Sequence, residues 1–130
     1  MKLNINDKDG KSYKKELNAS EVKLLVGKNI NDELTGETIG LTGYVLKIMG
    51  GSDKQGFPMR KTLKGQLRKR LLTSPGVGFK SKIGGIRKKK SIRGNQIGTD
   101  ILQLNLKVIK AGKTPLSETF KKEEKAEETA

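Results

Sequence analysis

Two glycine-framed stretches of this 130-residue chain carry residue types that could cradle a phosphate. A Walker-type loop needs G-x-x-x-x-G followed by Lys and then Ser or Thr. Its backbone N–H groups surround the phosphates while the lysine and hydroxyl meet charge and magnesium. Gly51-Ser52-Asp53-Lys54-Gln55-Gly56 has the glycine spacing, but Phe57-Pro58 follows it; Gly112-Lys113-Thr114 has the ending, but the first glycine would fall on Lys107. Neither completes the motif, so the glycines read as turn formers. Acid–base hydrolysis needs paired carboxylates in one cleft, and Asp53 is the sole carboxylate between Glu37 and Asp100. A lone Asp in Gly-Gly-Ser-Asp-Lys reads as a turn former whose side chain caps nearby backbone N–H groups. Ser91, set between Lys88-Lys89-Lys90 and Ile92-Arg93, reads as a phosphate-contacting hydroxyl on a basic strand rather than a modification target. The chain has neither His nor Cys, which removes zinc sites, thiol nucleophiles, disulfides and the commonest general base. No catalytic residue, metal, cofactor or small-molecule substrate is expected.

Charge is the stronger signal. The net charge is +14, and residues 1–53 carry eight Lys/Arg against eight Asp/Glu, while residues 100–130 carry six of each. Residues 54–99 carry fourteen Lys/Arg and no acid, so the whole excess sits there. Like charges gathered in a folded domain repel one another unless a polyanion meets them. Lys54, Arg60, Lys61, Arg68, Lys69, Arg70, Lys80, Lys82, Arg87, Lys88, Lys89, Lys90 and Arg93 are the candidate contacts, acting by phosphate neutralisation and counterion release. Interspersed glycines let backbone approach phosphates closely. No capped recognition helix of a DNA-reading motif is visible. The aromatics are few (Tyr13, Tyr44, Phe57, Phe79, Phe120) and form no RNA-recognition-motif strand. Backbone and shape recognition of folded RNA fits best, with a chromatin-type architectural DNA-binding protein as the rival.

The elements that must position these residues are short. The length fits one domain, and hydrophobic residues plus glycine reach about 44%, the low edge of globular usage. Leu3 and Ile5 predict a first strand, Asp9-Gly10 a hairpin turn, and Ser12–Leu17 a returning strand. Ser20 is the expected N-cap of a helix over Glu21–Val26, closed by Gly27. Tyr44–Met49 reads as a strand ended by turn chemistry at Gly50–Asp53, and Phe57, before Pro58, must be extended. Thr62–Thr73 fits a helical period through Leu63, Leu67 and Leu71, yet Leu67, Lys69 and Leu71 also fit a strand, and Gly65 interrupts. Ile86–Arg93 is a short segment between glycines; Asp100–Lys110 is the clearest strand, with Leu102, Leu104, Leu106 and Val108 alternating with Gln103, Asn105, Lys107 and Ile109. Together these predict a mainly β, barrel-like single domain over residues 1–116 with one or two short helices. A Lys/Glu/Ala tail over 117–130, flexible or at most a fraying helix, follows. No apolar run is long enough for a membrane span and the N-terminus lacks a signal-peptide pattern, so the natural reading is a cytoplasmic protein.

The run Gly50-Gly51-Ser52-Asp53-Lys54-Gln55-Gly56-Phe57-Pro58-Met59 resembles the signature of a ribosomal protein family, the sixth of the "e" type among small-subunit proteins of archaea and eukaryotes. Met1-Lys2-Leu3-Asn4-Ile5, Lys88-Lys89-Lys90-Ser91-Ile92-Arg93-Gly94 and Leu102-Gln103-Leu104-Asn105-Leu106 are similar to the same family in the same order. The resemblance spans residues 1–116. It implies a barrel-type domain docked on small-subunit ribosomal RNA beside other ribosomal proteins, with a structural role in assembly and translation. The length matches archaeal members; the long basic C-terminal helix of eukaryotic members, with its regulatory phosphorylation, has no counterpart here. Ser52 stands where other members often have Asn, which keeps turn propensity.

Overall fold

The computed structural model describes residues 1–129; Ala130, the last residue of the expected tail, lies outside them. Strand β1 (Lys2–Asn6) turns at Gly10, whose φ is +83°, and pairs antiparallel with β2 (Ser12–Glu16). Helix α1 (Ala19–Leu25) follows. Its cap is Asn18 rather than Ser20, because the Glu21 carboxylate accepts the Asn18 backbone N–H at 3.0 Å, half of a capping box. Strand β3 (Glu33–Thr35) leads through a 3-10 turn, Gly36–Ile39, to β4 (Val45–Asp53). Strands β5 (Arg68–Thr73) and β6 (Lys88–Arg93) form a separate pair, β7 (Ile101–Lys110) returns to the main sheet, and helix α2 spans Leu116–Glu128.

The main sheet runs β2-β1-β7-β4-β3, with β1 and β7 parallel and the other pairs antiparallel. The architecture is mainly β with two helices, as the short strands predict. The barrel-like closure is not formed: β2 and β3 are separate edges of an open sheet, and β5-β6 stands apart from it. Leu3 and Ile5 of β1, Leu46 and Ile48 of β4, and Leu104, Leu106 and Val108 of β7 share one buried face with Leu25, Ile39, Ile97 and Leu116. At about 25 cal/mol per Å² of apolar surface removed from water, this aliphatic layer holds the domain together.

Two expectations change in this sheet. Gly50–Asp53 continues β4 instead of ending it. Met49 has no partner between the pairs Ile48↔Leu106 and Gly50↔Asn105, which makes it a bulge residue. Gly51 is glycine because a Cβ there would collide with the Gln103 carbonyl of β7. Leu102, expected inside with Leu104, is exposed: it is the extra residue on β7 between Ser52↔Gln103 and Asp53↔Ile101. Of the two forms expected for the C-terminal segment, a flexible tail or at most a fraying helix, the segment is helical. Helix α2 docks through Leu116 and Phe120, one helical turn apart and both buried, with the Phe120 ring stacked on Tyr13 at 5.0 Å.

Candidate nucleic-acid interface

Thr62–Thr73 resolves as a turn followed by strand β5. Gly65 adopts φ +106°, which a right-handed helix excludes, and its carbonyl lies where any Cβ on Gly94 would collide with it. The helical period through Leu63, Leu67 and Leu71 is therefore coincidental. β5 pairs with β6 so that Arg68↔Arg93, Arg70↔Ser91 and Leu72↔Lys89 share one face, while Lys69↔Ile92, Leu71↔Lys90 and Thr73↔Lys88 share the other. The second face is covered in part, its Lys69, Lys88 and Lys90 remaining exposed. Ile92 and Thr73 are buried, and Phe79, from the connecting loop, is buried with them. Gly78 lies against Pro58 and Ile92, and the Lys90 ammonium sits 5.8 Å from the Phe79 ring centre.

The run Gly50–Met59 joins this ribbon to the sheet. Asp53 ends β4 with its carboxylate almost wholly buried. Oδ1 accepts the Gln55 N–H at 3.0 Å and the Phe57 N–H at 2.9 Å. Oδ2 accepts Arg68 Nε at 3.2 Å and Nη2 at 3.0 Å. The turn-former reading of Asp53 holds, and a second role appears: it clamps the first residue of β5. The Arg68 guanidinium also rests 4.5 Å from the Phe57 ring centre, a cation–π contact that fixes its plane. Met59 then donates its N–H to the Gly51 carbonyl, Arg93 donates to Pro58, and Arg60 donates to Arg93, all at 2.9–3.0 Å. Three residues thus tie β4 to β6.

The thirteen cations proposed from sequence divide accordingly. Lys54, Lys61, Lys69, Arg70, Lys80, Lys82, Arg87, Lys88, Lys89 and Lys90 are exposed on the ribbon, its connecting loop and the junction; Arg60 is half-buried. Arg68 is spent on Asp53 and Phe57. Arg93 is 7% exposed, with Nη1 3.8 Å from Asp100 and an Nε that lacks a partner. Arg68 and Arg93 stand opposite one another at the base of the ribbon; Arg93 is internal, while Arg68, its side chain still 34% exposed, is held by Asp53 and Phe57. Lys64, passed over because it stands outside the basic clusters, is exposed in the same acid-free segment and joins the set. Among the described residues, none of these eleven exposed cations pairs with a carboxylate; the four ion pairs are Lys2–Glu16, Lys15–Glu123, Arg68–Asp53 and Arg93–Asp100.

An open sheet on an aliphatic core, carrying a two-stranded ribbon that is cationic at almost every exposed position, defines a small, strongly basic, sheet-built domain. Its family is shown by comparison: residues 1–121 match the model of the family described as "Ribosomal protein S6e", and the chain belongs to that family. It is 51% identical over 118 residues to a protein of Methanothermobacter thermautotrophicus named "Small ribosomal subunit protein eS6", covering 91% of this chain and 93% of that one. It is similarly related to proteins of the same name from Archaeoglobus fulgidus (48% over 118 residues, 90% and 92% covered) and Methanoculleus marisnigri (44% over 129 residues, 98% of both). Neither the family nor these relatives lend support to a chromatin-type DNA-binding reading.

Proposed function

We propose that the protein is a non-catalytic structural constituent of the small ribosomal subunit, bound to ribosomal RNA through the β5-β6 ribbon and supporting subunit assembly and translation in the cytoplasm. The observation that carries this reading is the exposure, on one ribbon, its loop and the junction, of eleven cations that pair with no carboxylate among the described residues. Placed against phosphates, such charges release counterions and gain affinity. Facing only solvent, they would repel one another across a ribbon that has little core beneath it. Lys54, Lys61, Lys64, Lys69, Arg70, Lys80, Lys82, Arg87 and Lys88 to Lys90 supply the phosphate contacts, while the Asp53–Arg68–Phe57 clamp sets the ribbon's angle to the sheet. The relatives' name supports the choice of ribosome over other polyanions, and the relatives' small subunit supplies the neighbouring proteins the remaining surface would meet.

The test is binding to small-subunit ribosomal RNA across a salt series. If half of the eleven exposed cations engage phosphates, log K falls against log salt with a slope of about −4 to −5. A slope near −1, or equal binding of duplex DNA in direct competition, defeats the reading.

A further inference from the structure

The ribbon carries more than charge. Leu67, Leu72, Val77 and Ile83 are exposed large aliphatic side chains within the acid-free segment, and Leu72, 61% exposed, is the one that lies in a strand. Its surroundings are specific. Arg70 precedes it by two residues on the same face, and Lys89 lies directly across on β6. The apolar cover the ribbon possesses, Ile92 and Phe79, is committed to the opposite face. Toward its Leu72 end this face is therefore unpartnered, with one aliphatic side chain adjoining an exposed cation along its own strand and another across the pair. A partner that fits must be apolar at one point with anionic groups adjoining it, which describes a nucleic-acid groove: phosphates on its rims and sugar and base surfaces on its floor. In A-form RNA the major groove is too deep and narrow to admit a strand pair, whereas the minor groove is wide and shallow.

Resting on the RNA-binding reading above, we propose that this ribbon face seats in the minor groove of double-helical RNA. Leu72 lies against sugar and base surface while Arg70 and Lys89 reach the flanking phosphates. Aliphatic side chains laid against groove floors contribute by excluding water. They displace no counterion, so the Leu72 contribution is independent of salt, unlike that of its neighbours.

That difference is measurable. Binding of the full chain to small-subunit ribosomal RNA is followed across a salt series for the unaltered protein, Leu72→Ala, Leu72→Met and Arg70→Ala, with thermal melting of each as a fold control. Leu72→Ala is expected to weaken binding about tenfold at every salt concentration, a line parallel to that of the unaltered chain. Leu72→Met, which keeps the apolar surface, stays within about twofold. Arg70→Ala gives a slope shallower by about 1. Leu72→Ala binding as tightly as the unaltered chain overturns the proposal. So does a Leu72→Ala chain that keeps its RNA affinity but no longer enters small subunits, since Leu72 would then meet a protein. If the unaltered chain itself shows no salt-dependent binding, the underlying RNA reading fails first, and the two failures are distinguishable.

Discussion

The main sheet and the β5-β6 ribbon are built from the same kinds of strand but bury opposite things. In β1, β4 and β7, every second side chain over most of the length enters a continuous aliphatic layer. In the ribbon a few residues, chiefly Ile92, Thr73 and Phe79, are shielded, and the rest is lysine, arginine and bare aliphatic surface. The sheet's segments are charge-neutral, while the ribbon's segment carries the whole net charge. Stability thus resides in the sheet, while the ribbon is a cationic attachment whose orientation depends on a few contacts at its base. The most direct way to break this contrast is to remove equal volumes from both. Leu106, fully buried on β7 and paired with both Ile5 and Ile48, should cost about 3 kcal/mol or more when replaced by Ala, read from urea denaturation. Leu72→Ala, on the ribbon, should change stability by no more than about 0.5 kcal/mol. Similar losses at the two positions would mean the ribbon contributes to the core as the sheet does.

The clamp is where the two regions depend on one another. Removing the Asp53 carboxylate leaves the Gln55 and Phe57 N–H groups and the Arg68 guanidinium without their acceptor at a site where water has little access. Asp53→Ala is expected to lose about 2–3 kcal/mol in urea denaturation. Asp53→Asn, which keeps an acceptor oxygen but not the charge, should lose less. If the ribbon held its angle without the clamp, Asp53→Ala would leave amide exchange in β5 and β6 unchanged. Faster exchange there than in β7 is the expected outcome.

Charge removal sharpens the contrast from the other side. Replacing Lys88, Lys89 and Lys90 by Ser should weaken binding to small-subunit ribosomal RNA about tenfold or more at low salt and flatten the salt slope by about 2. Melting should stay unchanged, since all three are exposed and unpaired with acids. The same number of substitutions on the sheet, at Lys2, Lys14 and Lys107, should barely alter RNA affinity. Equal effects from the two sets would show that total charge, not its placement on the ribbon, governs binding.

Much of the sheet could be read from residue order because its signals are local. Leu3 and Ile5, the Asp9-Gly10 turn, and the alternation from Leu104 to Val108 each state a strand or turn within a few residues. The ribbon was legible as charge but not as geometry. Nothing local shows that Gly65 takes a positive φ, so Leu63, Leu67 and Leu71 could mimic a helix. Arg68 and Arg93 look like their basic neighbours, and only the tertiary arrangement brings one onto Asp53 and buries the other. The bulge at Leu102 depends on a glycine-bearing partner strand fifty residues away, and the open sheet depends on β5 and β6 pairing with each other rather than extending β4. The docking of α2 was carried by two residues, Leu116 and Phe120, too few to outweigh the Lys/Glu composition that follows them.

The smallest expected effect concerns that docking. The Tyr44 side chain is buried, and its hydroxyl donates to the Thr114 carbonyl just before α2. Burial first, and the Asp7 charge second, raise its pKa above the ordinary 10.0. In the unfolded chain the phenol ionises near its ordinary value, so the folded form binds its proton more tightly than the unfolded form does. The resulting stability is fully present below about pH 10 and is lost as pH rises through the folded value. Tyr44→Phe removes both the hydrogen bond and the titration. At neutral pH the variant should be less stable by about 1 kcal/mol. As pH rises above the ordinary phenol value of about 10, its deficit relative to the unaltered chain should shrink, as ionisation erodes the Tyr44 contribution. Urea denaturation followed over that range decides the point. A deficit constant with pH would place the Tyr44 hydroxyl in water, detached from the segment that starts α2.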